Sequence, residues 1–150
     1  MLTFQTEAWP DVVEEMKPIF AEHWQQIATD RNIIPMAMDW DLYASDHEAG
    51  RLHVLTVRAD GVLVGYYVSV LATHRHYRTT GFDFNDLYYV LPQHRGIAGV
   101  RLFIEAEKAM RELGVVTKMT AATKVSHDNS VIFEALGWKL QEKVYAKVLD

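Results

Sequence analysis

Apolar and polar residues alternate along the chain with two periods, one typical of strands and one typical of helices. Leu2 and Phe4 alternate with polar residues, which favours a first strand. After Pro10, apolar residues recur at helical spacing; Asp11 is predicted to cap that helix, and Pro18 is expected to kink or break it. The apolar stripe of this helix consists of Met16, Ile19, Phe20, Trp24 and Ile27.

A second short helix and a hairpin are predicted from the next segments. The helix covers residues 39–48, and Gly50 stops it. Alternating apolar residues over residues 51–70 surround the turn pair Asp60-Gly61, a pattern typical of a β-hairpin. Residues 72–81 are largely polar, so they are predicted to connect this hairpin to the next strand.

A strand, a short loop and a helix follow one another between residues 82 and 114. The strand covers residues 82–91, and Pro92 ends it because proline has no N–H for a ladder. The helix has an apolar stripe made of Leu102, Phe103, Ala106, Ala109, Met110 and Leu113, and Gly114 stops it. The loop between them, residues 93–99, is predicted to bind phosphate, because a loop that opens a helix presents unpaired N–H groups and the positive end of the helix dipole.

The rest of the chain completes one domain. Residues 115–122 are predicted as a strand, residues 130–136 as a short helix that ends at Gly137, and residues 138–149 as one or two closing strands. Hairpins mixed with strand–helix–strand crossovers indicate a mixed sheet covered by helices on both sides. The prediction is a single domain over residues 1–150, of the α/β (mixed α+β) class, with about six to seven strands and about four helices.

Composition excludes several classes of protein. Hydrophobic residues make up 49% of the chain and charged residues 23%, values typical of a globular domain. A net charge of −5 without a Lys/Arg cluster argues against a nucleic-acid partner, and no apolar run approaches the length of a membrane span. Because the chain has no cysteine and no secretory signal pattern, we expect no disulfide or thiolate chemistry and a cytoplasmic location.

The loop after the central strand carries a recognisable motif. It lacks the Gly-Lys-Ser/Thr ending of a Walker loop and the G-x-G-x-x-G of a dinucleotide site. Its pattern is V-x-P-x-x-R-G-x-A, formed by Val90, Pro92, Arg95, Gly96 and Ala98. This pattern resembles the acyl-CoA-binding motif of the GNAT superfamily of N-acyltransferases, whose R/Q-x-x-G-x-G/A loop holds the CoA pyrophosphate. A register from Gln93 also fits, and Val100 departs from the small residue that the family prefers.

A second motif lies downstream. Residues 133–138, Phe-Glu-Ala-Leu-Gly-Trp, resemble the Y-E-K-x-G-F segment of the same family. The resemblance spans nearly the whole chain and implies a GNAT-like three-layer α/β/α fold with a largely antiparallel sheet. The segments at residues 39–43, 76–78 and 86–88 also resemble small GNAT proteins encoded by bacteriophages.

The resemblance implies direct transfer of an acetyl group from acetyl-CoA to a primary amine, with no metal. A backbone N–H at the edge formed by residues 89–91 would stabilise the oxyanion, and Asn129 would either bond the pantetheine or cap its helix. The residues implied in cofactor binding are Tyr89, Val90, Leu91, Arg95, Gly96, Ile97, Ala98, Gly99, Val100, Asn129 and Phe133.

The acceptor implied by the resemblance is an amine-bearing small molecule, a protein lysine or an N-terminus. Tyr43, Asp39 and Asp41 lie where the family builds its acceptor pocket, so the two carboxylates either bind a cationic amine or cap a helix. Dimerisation is common in the family, so a homodimer is a further expectation.

Two kinds of residue are candidates for the general base. Asp86 is the first, because in a regular strand it shares a face with Tyr88 and Val90; the alternative is a surface carboxylate. His76, together with His74, is the next, since neutral imidazole titrates near neutral pH. Both histidines also suit an ordinary loop, and no third ligand accompanies them for a metal.

The residue that would protonate the leaving group is missing from its family position. Phe133 stands where many members have Tyr, so Tyr88, Tyr89 or a water would supply the proton. Alternatively the thiolate leaves without an acid, because a thiol pKa of about 8.5 is modest. This departure supports a second hypothesis, a GNAT-fold protein with weak or no catalysis that binds a protein partner.

Overall fold

The computed structural model describes residues 1–149, in which a five-stranded sheet carries helices on both faces. Neighbouring strands pair antiparallel in chain order, except the last pair, which is parallel. The elements are β1 (Leu2–Thr6), α1 (Trp9–Ile27), α2 (Trp40–Glu48), β2 (Leu52–Ala59), β3 (Val62–His74), β4 (Tyr77–Val90), α3 (Ile97–Leu113), β5 (Lys118–Thr120) and α4 (Ser130–Ala135). The mixed α/β class and the number of helices are therefore as predicted.

The sheet has five strands, not the six or seven predicted. The predicted strand at residues 115–122 is only three residues long, and residues 139–149 form no strand. Leu140, Val144 and Tyr145 in that segment are 75–91% exposed. A strand needs a neighbouring strand for its hydrogen bonds, and β5 offers an edge of only three residues. The C-terminal segment therefore has no strand to pair with among the described residues.

The start of α1 differs from the prediction. Ala8, not Asp11, occupies the N-cap position. Pro10 lies in the first turn, where backbone N–H groups have no acceptor within the helix, so the lack of an N–H in proline costs no hydrogen bond. Pro18 does not end the helix, which continues to Ile27. By contrast, Asp39 caps α2 as its pattern suggested, since its carboxylate accepts a hydrogen bond of 2.9 Å from the Leu42 N–H.

Residues 72–81 are mostly strand rather than a polar connection. β3 and β4 form one long hairpin whose turn contains only Arg75 and His76. Threonine, tyrosine and phenylalanine favour the pleated backbone, and the histidine and aromatic rings here contact one another. The hairpin extends past the end of β2, whose first residue Leu52 pairs with Val70.

Two apolar cores lie on opposite faces of the sheet. The first packs α1 and α2 on residues such as Tyr66, Val68 and Tyr89. The second packs α3 and α4 on the other face, around residues that include Tyr67 and Val90. Among the described residues, no helix combines the length and the apolar character that crossing a membrane requires. The sheet therefore separates two apolar cores, one on each of its faces.

Candidate active site

A β-bulge in β4 decides where Asp86 points. Val68 pairs with Leu87 and Ser69 with Asn85, so Asp86 has no partner on β3. The extra residue reverses the alternation of side chains along the strand. Asp86 contacts the α2 side of the sheet, whereas Tyr88 packs with the α3 core. The expectation that Asp86 shares a face with Tyr88 and Val90 is therefore wrong, because it assumed a regular strand.

Tyr43 of α2 holds the Asp86 carboxylate. Its hydroxyl donates a hydrogen bond to Asp86 Oδ2. Burial, and after it the hydrogen bond to Asp86, raises the pKa of Tyr43 far above its usual range, so the hydroxyl keeps its proton. The Tyr43 ring stacks on Trp9 with centroids 4.7 Å apart, which fixes the phenol against α1. One carboxylate oxygen of Asp86 is thus oriented, and the other has no recorded partner in the described residues.

An acidic cavity of about 240 Å³ opens beside this pair. Its lining consists of Ala37, Met38, Asp39, Leu42, Tyr43, Asp46, Val70 and Asp86. Arg51 pairs with Asp46 at 2.9 Å, and no cationic side chain lines the cavity itself. Asp46 was missed from the sequence, although its spacing of seven residues from Asp39 would have placed both on one side of the α2 segment. Asp41, the other predicted acceptor residue, is exposed and does not line the cavity.

Strands β4 and β5 separate immediately after a short parallel pairing. Residues 82–84 pair with residues 118–120, and no further pairing joins the two strands within residues 1–149. The Leu91 N–H donates to Val64 O at 2.9 Å, so it faces β3. Since successive N–H groups alternate along a strand, the Val90 N–H faces the gap. Leu91 and, by the same alternation, Tyr89 are therefore wrongly placed among the residues whose amides line the gap, and Val90 is the residue that fits.

Tyr88 bridges the gap on the α3 side. Its hydroxyl donates to Ala122 O at 2.8 Å, and Asn129 Nδ2 donates to that hydroxyl at 3.4 Å. The side chain of Asn129 forms no helix-cap bond. Phe133 is buried, with its ring centroid 6.0 Å from that of Tyr88. Three residues predicted separately, Tyr88, Asn129 and Phe133, are thus brought together at one side of the gap.

The loop before α3 presents free amides. Gly96 has φ +95°, a conformation that side-chain-bearing residues rarely adopt, and it is the N-cap of α3. The N–H groups of Gly96, Ile97 and Ala98 donate no backbone hydrogen bond within the described residues, whereas that of Gly99 returns to Gly96 O. The Ala98 side chain is fully buried in the α3 core, so a small residue is needed there for packing. Val100 is half-buried on the first turn.

Arg95 and His23 support the other side of the loop. Arg95 donates through Nε to Val90 O at 2.8 Å and through a terminal nitrogen to Gln26, with its guanidinium 5.2 Å from the Tyr89 ring. His23 is buried, stacks on Tyr89 at 4.4 Å, and shares a 2.6 Å hydrogen bond with the Tyr66 hydroxyl. Burial first, and then the charge of Arg95, lowers the pKa of His23 to about 4, so the ring is neutral at pH 7.

His74 and His76 do not belong to this site. They lie at the turn of the β3–β4 hairpin, and ten residues separate His76 from Asp86 along β4. Three of those residues lie in an irregularity between Tyr77 and Gly81. Counted along β3, from Val68 opposite the bulge to His74 at the turn, the separation is six residues, or about 20 Å at 3.3 Å per residue. His76 as the catalytic base is therefore inconsistent with this fold. Nowhere in residues 1–149 do three or more His, Asp or Glu side chains gather as a metal site would require.

Comparison with known proteins identifies the fold. A sequence-family model described as "Acetyltransferase (GNAT) family" matches residues 9–138. No curated protein sequence matches the chain significantly. An aminoglycoside acetyltransferase from an uncultured soil metagenomic sample, in complex with trehalose, superimposes with a TM-score of 0.73 at 12% identity, covering 99% of this chain and 97% of the other.

Two further solved structures have the same fold over their full length. The ribosomal-protein-alanine N-acetyltransferase of Brucella melitensis biovar Abortus 2308 superimposes with a TM-score of 0.70 at 19% identity, covering 100% of both chains. AAC(6')-Iy in complex with a bisubstrate analogue of CoA and acetylneamine gives a TM-score of 0.61 at 19% identity, covering 100% of this chain and 99% of the other. At these identities the likeness concerns the fold alone.

Proposed function

The chain belongs to the GNAT acetyltransferase family, and we propose that it transfers an acetyl group from acetyl-CoA to a primary amine by direct attack. The observation that carries this proposal is the gap between β4 and β5 beside the free amides of residues 96–98. A thioester arm fits between parted strands, and its diphosphate fits a helix N-terminus that has unpaired N–H groups.

Acetyl-CoA supplies the acyl thioester, whose C–S bond breaks as the new C–N bond forms. The amides of Gly96, Ile97 and Ala98 hold the diphosphate, with Gly99 and Val100 continuing the same turn. The Val90 N–H, which faces the gap, donates to the carbonyl oxygen as negative charge develops there. Asn129 and Phe133 line the α3 side of the arm.

Asp86 serves as the general base. A cationic amine is attracted to the acidic cavity, and Asp86 takes its proton, directly or through a water, before attack. Tyr43 keeps the carboxylate turned towards the cavity by its hydrogen bond to Oδ2. Tyr88, whose hydroxyl lies on the opposite face, gives a proton to the departing thiolate in place of the hydroxyl that Phe133 lacks. Amine and thiolate thus use different faces of β4.

Binding of acetyl-CoA tests the proposal. At 100 times its dissociation constant, acetyl-CoA is expected to raise the free energy of unfolding by about 2.7 kcal/mol. The matched control is AMP, which has the adenine but no diphosphate and is expected to give a much smaller increase. Release of free CoA in the presence of a small primary amine then measures transfer. Absence of any stabilisation at millimolar acetyl-CoA would contradict the proposal.

One observation favours a second function. Phe133 has no proton to give, which favours a non-catalytic module that binds a protein partner. Acetyl-CoA binding without CoA release, for any amine tested, would support this alternative. A cytoplasmic location, an origin in a bacteriophage and a homodimer stay predictions from the sequence.

A further inference from the structure

Aromatic rings continue from the acidic cavity along the β3–β4 hairpin. Val70 lines the cavity and pairs with Phe84 across the two strands. Cross-strand partners point to the same face, so Phe84 lies on the face that carries the cavity. Phe82 stacks on Phe84 with centroids 5.3 Å apart, and Ala72 is its cross-strand partner. The cavity wall therefore extends outwards as a strip of side chains.

The strip reaches the turn of the hairpin. His74 lies 6.1 Å from Phe82 and 6.3 Å from Phe84. Tyr77 lies 6.0 Å from Phe82, and His76 lies 4.7 Å from His74. We call this set, made of Phe84, Phe82, His74, Tyr77 and His76, the aromatic ladder. Tyr77 is 57% exposed although it adjoins three other rings, so the outer part of the ladder is open to a ligand.

The two ends of the ladder carry opposite charge. At the inner end, Asp39, Asp46 and Asp86 line the cavity. At the outer end, Arg75 and Arg78 are exposed, and neither forms a salt bridge with another described residue. In a chain whose net charge is −5, a cationic turn at the end of a projecting hairpin suits an anionic group of a ligand.

We propose that the acceptor is an extended acidic peptide, whose terminal amine enters the cavity and whose carboxylates meet Arg75 and Arg78. This inference rests on the proposed acetyl transfer. Val70 and Arg75 are five strand residues apart, or about 16 Å at 3.3 Å per residue. An extended peptide spans that distance with about five residues of its own. Acidic side chains near the fourth to sixth positions of the peptide therefore reach the arginines.

Other ligands fit this arrangement less well. A small amine ends inside the cavity and does not reach the ladder. A nucleic acid offers phosphates for Arg75 and Arg78 but no basic aliphatic amine for the cavity. An α-amine also suits Asp86 better than a lysine does, because α-amines lose their proton at a pKa of about 7.7–8.0 and lysines at about 10.4. An acidic peptide meets both requirements, because its N-terminal amine suits the cavity and its carboxylates suit Arg75 and Arg78.

The test uses two synthetic peptides with the same first three residues. One has Glu at positions four to six, and the other has Gln there. We expect kcat/KM for the Glu peptide to be about fivefold to tenfold higher at low salt, mainly through KM, because two exposed ion pairs are worth about that factor. The advantage should shrink at 0.5 M salt, since exposed charges are screened there.

A pair of variants locates the effect. In Arg75→Ala/Arg78→Ala the preference for the Glu peptide is expected to fall to about one. Arg111→Ala, which removes an exposed arginine from the end of α3, is the matched control and should keep the preference. Equal activity towards both peptides in the unmodified protein, or a preference that survives the double variant, would overturn the inference.

Peptide binding is also measured directly, by fluorescence anisotropy without acetyl-CoA. This readout does not depend on turnover, so it tests the acceptor even if no amine is acetylated, whereas absence of stabilisation by acetyl-CoA contradicts only the proposed function. Tighter binding of the Glu peptide, lost in the double variant, supports the inference. Single-stranded RNA that binds more tightly than the Glu peptide, with the same loss in the double variant, would instead assign the hairpin to nucleic acid.

Discussion

The two faces of the sheet present different chemical groups. The face under α1 and α2 is aromatic and ends in an acidic cavity with Asp86 and Tyr43. The face under α3 and α4 carries Tyr88 and Asn129 beside the gap, next to the loop with free amides. β4 belongs to both, and its bulge sends Asp86 to one face and Tyr88 to the other. In the proposed reaction, acceptor and acyl donor therefore approach from opposite faces of the sheet and meet at β4.

Of the variants that test the different roles of the two faces, replacement of Asp86 is expected to have the largest effect. Asp86→Asn keeps the hydrogen bond from Tyr43 but removes the base, so kcat is expected to fall about 10²–10⁴-fold. Stabilisation by acetyl-CoA should be retained, because the donor binds on the other face. Asp41→Asn, at an exposed position outside the cavity, is the control and should retain activity. Loss of acetyl-CoA binding in Asp86→Asn would contradict the proposal that donor and acceptor bind on opposite faces of the sheet.

A buried titratable group on each face of the sheet gives the stability a pH dependence, and the two dependences have opposite directions. His23, on the α1 face, has a pKa lowered to about 4 by burial, so its contribution to stability is lost as pH falls from about 6.5 to 4. On the other face, Asp83 is fully buried and accepts from the Tyr67 hydroxyl at 3.2 Å. Burial raises the pKa of Asp83 to about 6, so stability is lost as pH rises from about 4 to 6.

The variants His23→Gln and Asp83→Asn should therefore have opposite pH slopes. The slopes are taken relative to the unmodified protein, which cancels other groups such as His53, whose pKa burial also lowers. Between pH 4 and 6 the relative free energy of unfolding of His23→Gln falls as pH rises, whereas that of Asp83→Asn rises. Each change amounts to about 3 kcal/mol, at about 1.4 kcal/mol per pKa unit. Urea unfolding at several pH values measures both, and slopes of the same sign would show that the faces do not titrate independently.

The two ends of α3 give a matched pair of glycines. Gly96→Ala and Gly114→Ala both place a side chain where φ is positive, +95° and +72°, and each is expected to destabilise the fold by about 1–3 kcal/mol. Only Gly96→Ala should also weaken acetyl-CoA binding, because it disturbs the amides of the donor loop. Calorimetric titration measures the affinity. Equal weakening in both variants would mean that general loosening of α3, not the loop, is responsible.

Tyr43→Phe is expected to have the smallest effect of these variants. It removes the hydrogen bond to Asp86 and keeps the ring stacked on Trp9, so little stability is lost. We expect kcat to fall about fivefold to tenfold, the effect of about 1 kcal/mol for one hydrogen bond, with acetyl-CoA affinity unchanged. An unchanged kcat would remove Tyr43 from the positioning of the base.

Local elements of the fold were predictable from the sequence. The strand–loop–helix around Pro92, the cap at Asp39 and the stop at Gly114 depend on residues close in the chain, and all are present. Residues 138–149 were predicted to hold one or two closing strands, and that prediction is wrong because a strand depends on a partner edge that the described residues do not offer there. The prediction of His76 as a general base was wrong because the hairpin is longer than its polar composition suggested, so its turn lies far from Asp86.

The sequence by itself determined that four helices form, that a glycine-containing loop opens α3 and which family the chain resembles. Only the tertiary structure decided that Asp86 joins Tyr43 and the acidic cavity, while Tyr88 joins Asn129 across the gap. The physical reason is that periodicity and turn chemistry act between near neighbours in the chain. A bulge, by contrast, arises from how two strands pair, and one unmatched residue in that pairing exchanges the faces on which the side chains lie.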